Sequence, residues 1–128
     1  MEDDKGKFIV IAAGYKNEMQ RFLNSNPGLP SRFQNTIEFP DYTPEELIAI
    51  FKSMVESKKM VMTPDFEKKV TVTLTDLHNN RSDTFANGRT VRNLYDEPRK
   101  KQANRVAGLG ITDPTNSVLF TFEAEDLV

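Results

Sequence analysis

Apolar positions along this chain fall into two regimes. From Phe8 to Ala13 they run without a break, Phe8-Ile9-Val10-Ile11-Ala12-Ala13, and stop at Gly14. A short continuous run fits a strand buried on both faces, as in a parallel α/β sheet, better than a half-exposed strand that alternates. Lys16 to Leu23 predicts a helix with Met19, Phe22 and Leu23 on one side, ended by the turn-rich Asn24-Ser25-Asn26-Pro27-Gly28. Thr36-Ile37-Glu38-Phe39 predicts a second short strand, closed by Pro40.

Past Pro40 the spacing becomes that of amphipathic helices. Thr43-Pro44-Glu45-Glu46 supplies an N-cap, a proline at the first helical position and a glutamate at N3, which together make a capping box; Tyr42 is placed to staple onto Leu47. Leu47, Ile48, Ile50, Phe51, Met54 and Val55 give the apolar face. Thr63-Pro64 opens a second helix in the same way, expected to bury Phe66, Val70, Leu74 and Leu77 against the low helix propensity of Val70-Thr71-Val72-Thr73. Asn79 to Asn87 reads as a polar loop. A third helix starts near Gly88 and carries Val91, Leu94, Tyr95, Ala103 and Val106. Pro98 inside it costs about 3 kcal/mol, which predicts a kink or a restart. Val118 to Phe122 alternates like a strand, and Glu123 to Val128 reads as a closing turn. The pattern is strand–helix–strand, a hinge near Pro40–Thr43, then a mainly helical unit.

Composition narrows the function classes. A chain of 128 residues is one domain, or a small domain plus a piece of another. A net charge of −2 argues against general nucleic-acid or membrane-surface binding. Without cysteine there is no disulfide, thiolate metal site or cysteine nucleophile, and the single histidine, His78, cannot build a multi-histidine site, so no metal centre is expected. No apolar run approaches the roughly 20 residues of a membrane span. Met1 to Lys5 lacks the charge pattern of a secretory signal, and the chain reads as cytoplasmic. Arg99-Lys100-Lys101 with Arg105 reads as a solvated helix face rather than an RNA site.

Two arginines stand out, Arg32 after Asn26-Pro27-Gly28-Leu29-Pro30-Ser31 and Arg89 after Ala86-Asn87-Gly88. Arginine is always charged and presents a planar fork of donors, so two at structured turns point to phosphate. At a helix start, Arg89 sits beside the positive end of the helix dipole, a misfit that an anionic ligand would relieve. The rest of a phosphate site is missing from these residues. The Gly6-Lys7 pair is followed by Phe8, not Ser or Thr, and no apolar run ends in Asp-Glu.

Several ordered motifs resemble the CbxX/CfqX group of AAA+ ATPases, which includes CbbX-type Rubisco activases, the sporulation stage V protein K and ATPases of type VII secretion. They are Ile9 through Met19, Phe22-Leu23, Asn26-Pro27-Gly28-Leu29, Ser31-Arg32-Phe33, Ile37 through Leu47, Arg89-Thr90-Val91-Arg92-Asn93-Leu94, Gln102-Ala103-Asn104-Arg105 and Glu125-Asp126-Leu127. The resemblance implies an α/β remnant followed by a mainly α unit. Residues 1–40 would be the C-terminal part of the large α/β subdomain, with its fourth and fifth core strands, and residues 41–128 the helical lid. It implies that Arg32 is an arginine finger acting in trans on a neighbouring subunit's nucleotide, and that Arg89 is sensor 2. Arg92 is a further nucleotide contact or a support for the lid. Tyr15 is the one polar candidate for sensor 1, and reads first as a packing residue.

The implied cofactor is ATP with Mg²⁺ in the full-length enzyme, with none held tightly by this chain alone. The implied partners are neighbouring subunits of a homo-hexamer and a protein substrate that the sequence does not identify, with no nucleic acid and no membrane. The implied activity is ATP-driven protein remodelling, while the chain alone is expected to hydrolyse no ATP. The competing readings are a stand-alone interaction module that modulates a full ring, or a truncated remnant. In the family's sheet order, 5-1-4-3-2, the strand bearing the phosphate loop lies between the two strands seen here. Phe8–Ala13 is therefore expected to lack partners, and the first section to pair non-natively, self-associate or stay disordered, while the lid folds more autonomously.

Overall fold

The computed structural model describes residues 9–127. Phe8, where the first expected strand begins, the Gly6-Lys7 pair and Val128 lie outside the described residues. The chain is mostly helical with two short parallel strands, and it divides into two compact units, Met1–Pro40 and Asp41–Val128.

In the first unit, helix α1 spans Lys16–Asn24 and is followed by a single helical turn, α2, over Leu29–Arg32. The break between them is built by side chains that satisfy nearby backbone groups. Ser25 Oγ donates to the Phe22 carbonyl at 2.6 Å, and Asn26 Oδ1 accepts from the Gly28 N–H at 2.8 Å. Phe22 packs edge-on against Phe33, with ring centroids 5.9 Å apart. The two expected strands do not form a ladder. Residues 9–15 and 33–40 are irregular, and Ile9, Ile11, Ile37 and Phe39 stand 79–88% exposed. A strand is held by bonds to its neighbours, and no substitute pairing arises for these segments among the described residues.

The second unit holds the core. Helix α3 (Pro44–Ser57) starts with the expected capping box: Thr43 Oγ1 accepts from the Glu46 N–H at 3.2 Å, and Glu46 Oε1 accepts from the Thr43 N–H at 3.0 Å. Its buried stripe is Leu47, Phe51 and Val55. Strand β1 (Val61–Met62) leads to α4 (Pro64–Asn79), capped by Thr63 and buried through Phe66, Val70 and Leu74. The β-branched series does not break α4. Thr71 and Thr75 turn their hydroxyls back onto the carbonyls of Glu67 and Thr71, at 3.0 and 2.7 Å. Leu77, expected inside, is exposed.

Helix α5 runs unbroken over Gly88–Ala107, so it does not restart at Pro98. Its buried stripe is Val91, Tyr95, Pro98 and Gln102, at spacings of four, three and four. The proline therefore occupies a core position, where burying its ring offsets the lost backbone bond. Ala103 is exposed and Val106 only half-buried, because the inward face turns through Pro98 to Gln102 instead.

After α5 the expected strand is mostly a 3₁₀ turn, Ser117–Phe120, leaving β2 as Thr121–Phe122, parallel to β1 with Val61 opposite Thr121 and Met62 opposite Phe122. A second 3₁₀ turn follows at Ala124–Asp126. Phe122 is fully buried, stacked on Phe66 with centroids 4.9 Å apart and edge-on to Tyr95.

Polar groups clasp this tail to the helices. Gln102 Nε2 donates to the Leu119 carbonyl at 2.9 Å, and Lys69 Nζ donates to the carbonyls of Ala124 and Leu127. The Arg105 guanidinium makes a two-pronged contact with Asp126, both distances 3.0 Å, and reaches the Thr121 carbonyl at 3.1 Å. This corrects the reading of Arg99-Lys100-Lys101 and Arg105 as one solvated face. Lys100 and Lys101 are exposed, but Arg105 is drawn into a buried carboxylate and Arg99 donates to Gln102 Oε1 at 2.7 Å.

Among the described residues, the Tyr95 hydroxyl is a buried side-chain group with no hydrogen-bond partner. Burial pushes the phenol's pKa up, with the nearby Arg99 charge pulling the other way. Removing an unpaired buried hydroxyl removes its desolvation cost, so Tyr95→Phe is expected to raise unfolding stability by about 1 kcal/mol in urea titration. A loss of similar size would reveal a bond to that oxygen.

Candidate functional site: the first turn of the lid helix

The three long helices of the second unit begin differently. Helix α3 opens with Glu45 and Glu46 and α4 with Asp65 and Glu67, each behind a threonine cap. Helix α5, the longest, has no acidic residue in its first turn and no side-chain cap. It carries Arg89 and, one turn on, Arg92, both exposed. Among the described residues neither guanidinium has a hydrogen-bond or ion-pair partner. A helix N-terminus offers unpaired N–H groups and partial positive charge, and here two arginines add to it. The arrangement can hold an anion. Gly88 keeps the approach clear: a Cβ there would meet nothing within 4 Å.

Asn87, the residue that should cap α5, uses its side chain elsewhere. Its Oδ1 accepts from the Tyr42 N–H at 2.9 Å, and its Nδ2 donates to Asp41 Oδ1 at 2.9 Å. Asp41 Oδ2 also accepts from Arg81 Nε at 2.9 Å, and Arg81 Nη1 donates to the His78 carbonyl at 2.8 Å, near the end of α4. The Asn87 amide, and then Arg81 and His78, hold the Asp41 carboxyl below its ordinary value of 3.8 against a smaller opposing effect of burial. The sequence reading missed Asp41 and Asn87, although both lie in or beside the motifs that carry the resemblance. Asn-Gly before a helix reads as a turn, and the partner that gives it more meaning is 46 residues away.

The other expected site residues lie in the first unit. Arg32 is the last residue of α2 and is exposed. Tyr15 is the N-cap of α1, makes no side-chain cap bond and is 45% exposed. The structure thus brings Arg89 and Arg92 together on one helix and places Arg32 and Tyr15 at separate helix ends of the other unit. For ATP, the start of α5 fits phosphate. For Mg²⁺, the described residues include no group of three or more His, Cys, Asp or Glu that could hold a metal ion. No helix among them is long and apolar enough to cross a membrane.

Residues 43–128 match the AAA lid domain family. The chain is 43% identical, over its whole length, to a chloroplastic ribulose bisphosphate carboxylase/oxygenase activase of Cyanidioschyzon merolae, covering 43% of that protein. It is 38% identical over 99% of its length to the protein CbbX of Cereibacter sphaeroides and to the stage V sporulation protein K of Bacillus subtilis, covering 40% and 39% of them. The chain spans about two-fifths of the length of these relatives. It belongs to the CbxX/CfqX-type AAA+ ATPases, and residues 43–128 carry their AAA lid domain.

Proposed function

We propose that this chain is the sensor and lid portion of a cytoplasmic AAA+ ATPase that couples ATP binding and hydrolysis to protein remodelling in a homo-hexameric ring. Residues 1–40 serve as the C-terminal part of the large subdomain and residues 41–128 as the lid. Arg89 contacts the phosphates of its own subunit's nucleotide as sensor 2, with Arg92 beside it. Arg32 acts as the arginine finger on the neighbouring subunit's nucleotide. Tyr15 at the N-cap of α1 is the weakest member of the set, its place as sensor 1 resting on position alone. When bound, ATP supplies the phosphoryl group whose transfer releases the energy; this chain's residues orient and neutralise it.

The observation that carries the reading is the start of α5. It is a helix N-terminus with no side-chain cap and no acidic residue in its first turn, and its two arginines have no hydrogen-bond or ion-pair partner among the described residues, beside an open glycine. The test supplies the chain with a nucleotide-binding half that bears the phosphate loop and follows ATP turnover. Arg89→Ala is expected to lower turnover at least tenfold while leaving the unfolding midpoint of the chain unchanged, since its side chain has no hydrogen-bond or ion-pair partner among the described residues. Gly88→Ala separates ligand approach from folding. It should leave the chain as stable or more so, by about 0.4–1 kcal/mol, because it reduces the freedom of the unfolded chain. It should nonetheless weaken turnover by obstructing the backbone's approach to phosphate. Full activity in both variants would refute the assignment of this turn.

A further inference from the structure

Asn87 has φ 45° and ψ −110°, and it is one of two non-glycine residues among those described with a positive φ. Such a backbone persists only where its surroundings hold it. Here the holding group is the residue's own side chain. One amide clamps both the carboxylate of Asp41 and the N–H of Tyr42, the first two residues of the second unit. The same carboxylate is gripped by Arg81, which reaches the last turn of α4. Three stretches of chain therefore meet on Asp41: the segment that enters the lid, the end of α4 and the start of α5. Arg89 follows Asn87 by two residues, and its N–H bonds to the Ala86 carbonyl at 3.0 Å.

A turn alone would not need this arrangement. Glycine adopts positive φ without strain and would begin α5 equally well. An asparagine that forgoes capping its own helix, in order to tie down a distant carboxylate, suggests that the tie is the point.

We infer that Asp41 and Asn87 form a latch that positions Arg89, tying the first turn of the lid helix to the segment by which the chain enters the lid. A change in the direction of that entering segment pulls on Asn87 and so turns Arg89 toward or away from phosphate. Asp41 and Asn87 are positioning residues and touch no ligand themselves. The inference rests on the reading of Arg89 as a phosphate contact.

The decisive experiment exchanges the two partners. Asn87→Asp keeps the acceptor for the Tyr42 N–H but sets two carboxylates against each other. In the double variant Asp41→Asn/Asn87→Asp, donor and acceptor change places and the bond can reform. In the chain alone, amide exchange at Arg89 and Val91 should speed up about tenfold in Asn87→Asp and return in the double variant, while Phe51 in α3 stays protected throughout. With the nucleotide-binding half supplied, turnover should fall about tenfold in the single variant and recover in the double one.

Unchanged exchange at Arg89 and Val91 in Asn87→Asp, or a double variant that fails to restore it, would overturn the latch. So would turnover that ignores Asn87→Asp while Arg89→Ala abolishes it, and in that case the phosphate role of Arg89 would stand. Turnover indifferent to Arg89→Ala, or absent from the unaltered chain, would refute the phosphate role itself and remove what the latch is for.

Discussion

Replacing Arg105 with methionine is expected to cost the second unit about 3–5 kcal/mol, enough to leave it unfolded or close to it. Asp126 is 2% exposed, and its two oxygens are met by the Arg105 fork and by the Glu123 N–H at 2.8 Å. With Arg105 gone, a carboxylate stays buried with one backbone donor, and it must stay desolvated, take up a proton or pull the tail open. The loss extends beyond the pair. The guanidinium also holds the Thr121 carbonyl, at the strand that delivers Phe122 onto Phe66 and Tyr95.

The size of the effect depends on one partner being left behind. The double variant Arg105→Met/Asp126→Leu removes both charges together and should recover most of the loss, because a buried pair contributes little over apolar groups of similar volume. Urea unfolding of the two variants measures this directly. A cost below about 1 kcal/mol for Arg105→Met would mean that the pair behaves as a solvent-exposed contact.

These residues also show where sequence reading succeeds and where it stops. Thr43, Pro44 and Glu46 specify their helix start within four positions, and the structure forms the capping box as written. The buried stripe of α3, and that of α4 as far as Leu74, follow from spacing, because burial on a helix obeys a local period; Leu77 at the end of α4 does not. The inward face of α5 past Tyr95 does not follow. Pro98 and Gln102 are residues that periodicity counts as a breaker and a polar surface group, yet both are buried, Gln102 with its amide on the Leu119 carbonyl. Arg105 looked like part of a basic cluster for the same reason: its partner lies 21 residues on. In the candidate site, Arg89 was legible from its misplacement at a helix start, whereas Asp41 and Asn87 were not. A hydrogen bond between residues 46 apart leaves no trace in local pattern. The segments at 9–13 and 36–39 have strand sequences without strand partners, so their propensity has nothing to pair with.

The second large effect concerns chemistry. In the assembled ring, Arg32→Ala is expected to reduce ATP turnover by roughly 10³–10⁵, the size of an arginine finger's contribution in other nucleotide hydrolases. On the proposed finger role the guanidinium would neutralise charge that develops during phosphoryl transfer, so nucleotide binding should weaken far less than turnover. Arg32 is an exposed residue at the end of a one-turn helix. A variant that loses turnover only in proportion to lost stability would contradict the finger role.

On the proposed reading the two arginines serve different nucleotides: Arg89 its own subunit's, and Arg32 a neighbour's. Mixing the two single variants tests it. Rings of Arg32→Ala alone should be nearly inactive, and rings of Arg89→Ala alone should turn over at about a tenth of the unaltered rate or less, because every site lacks one contact. In an equal mixture, an Arg32→Ala subunit retains its Arg89 and can receive Arg32 from an Arg89→Ala neighbour. Sites of that kind make up about a quarter of a randomly mixed head-to-tail ring, and turnover should recover to about that fraction of the unaltered level. A mixture no more active than its parts would contradict the assignment of the two arginines to different subunits.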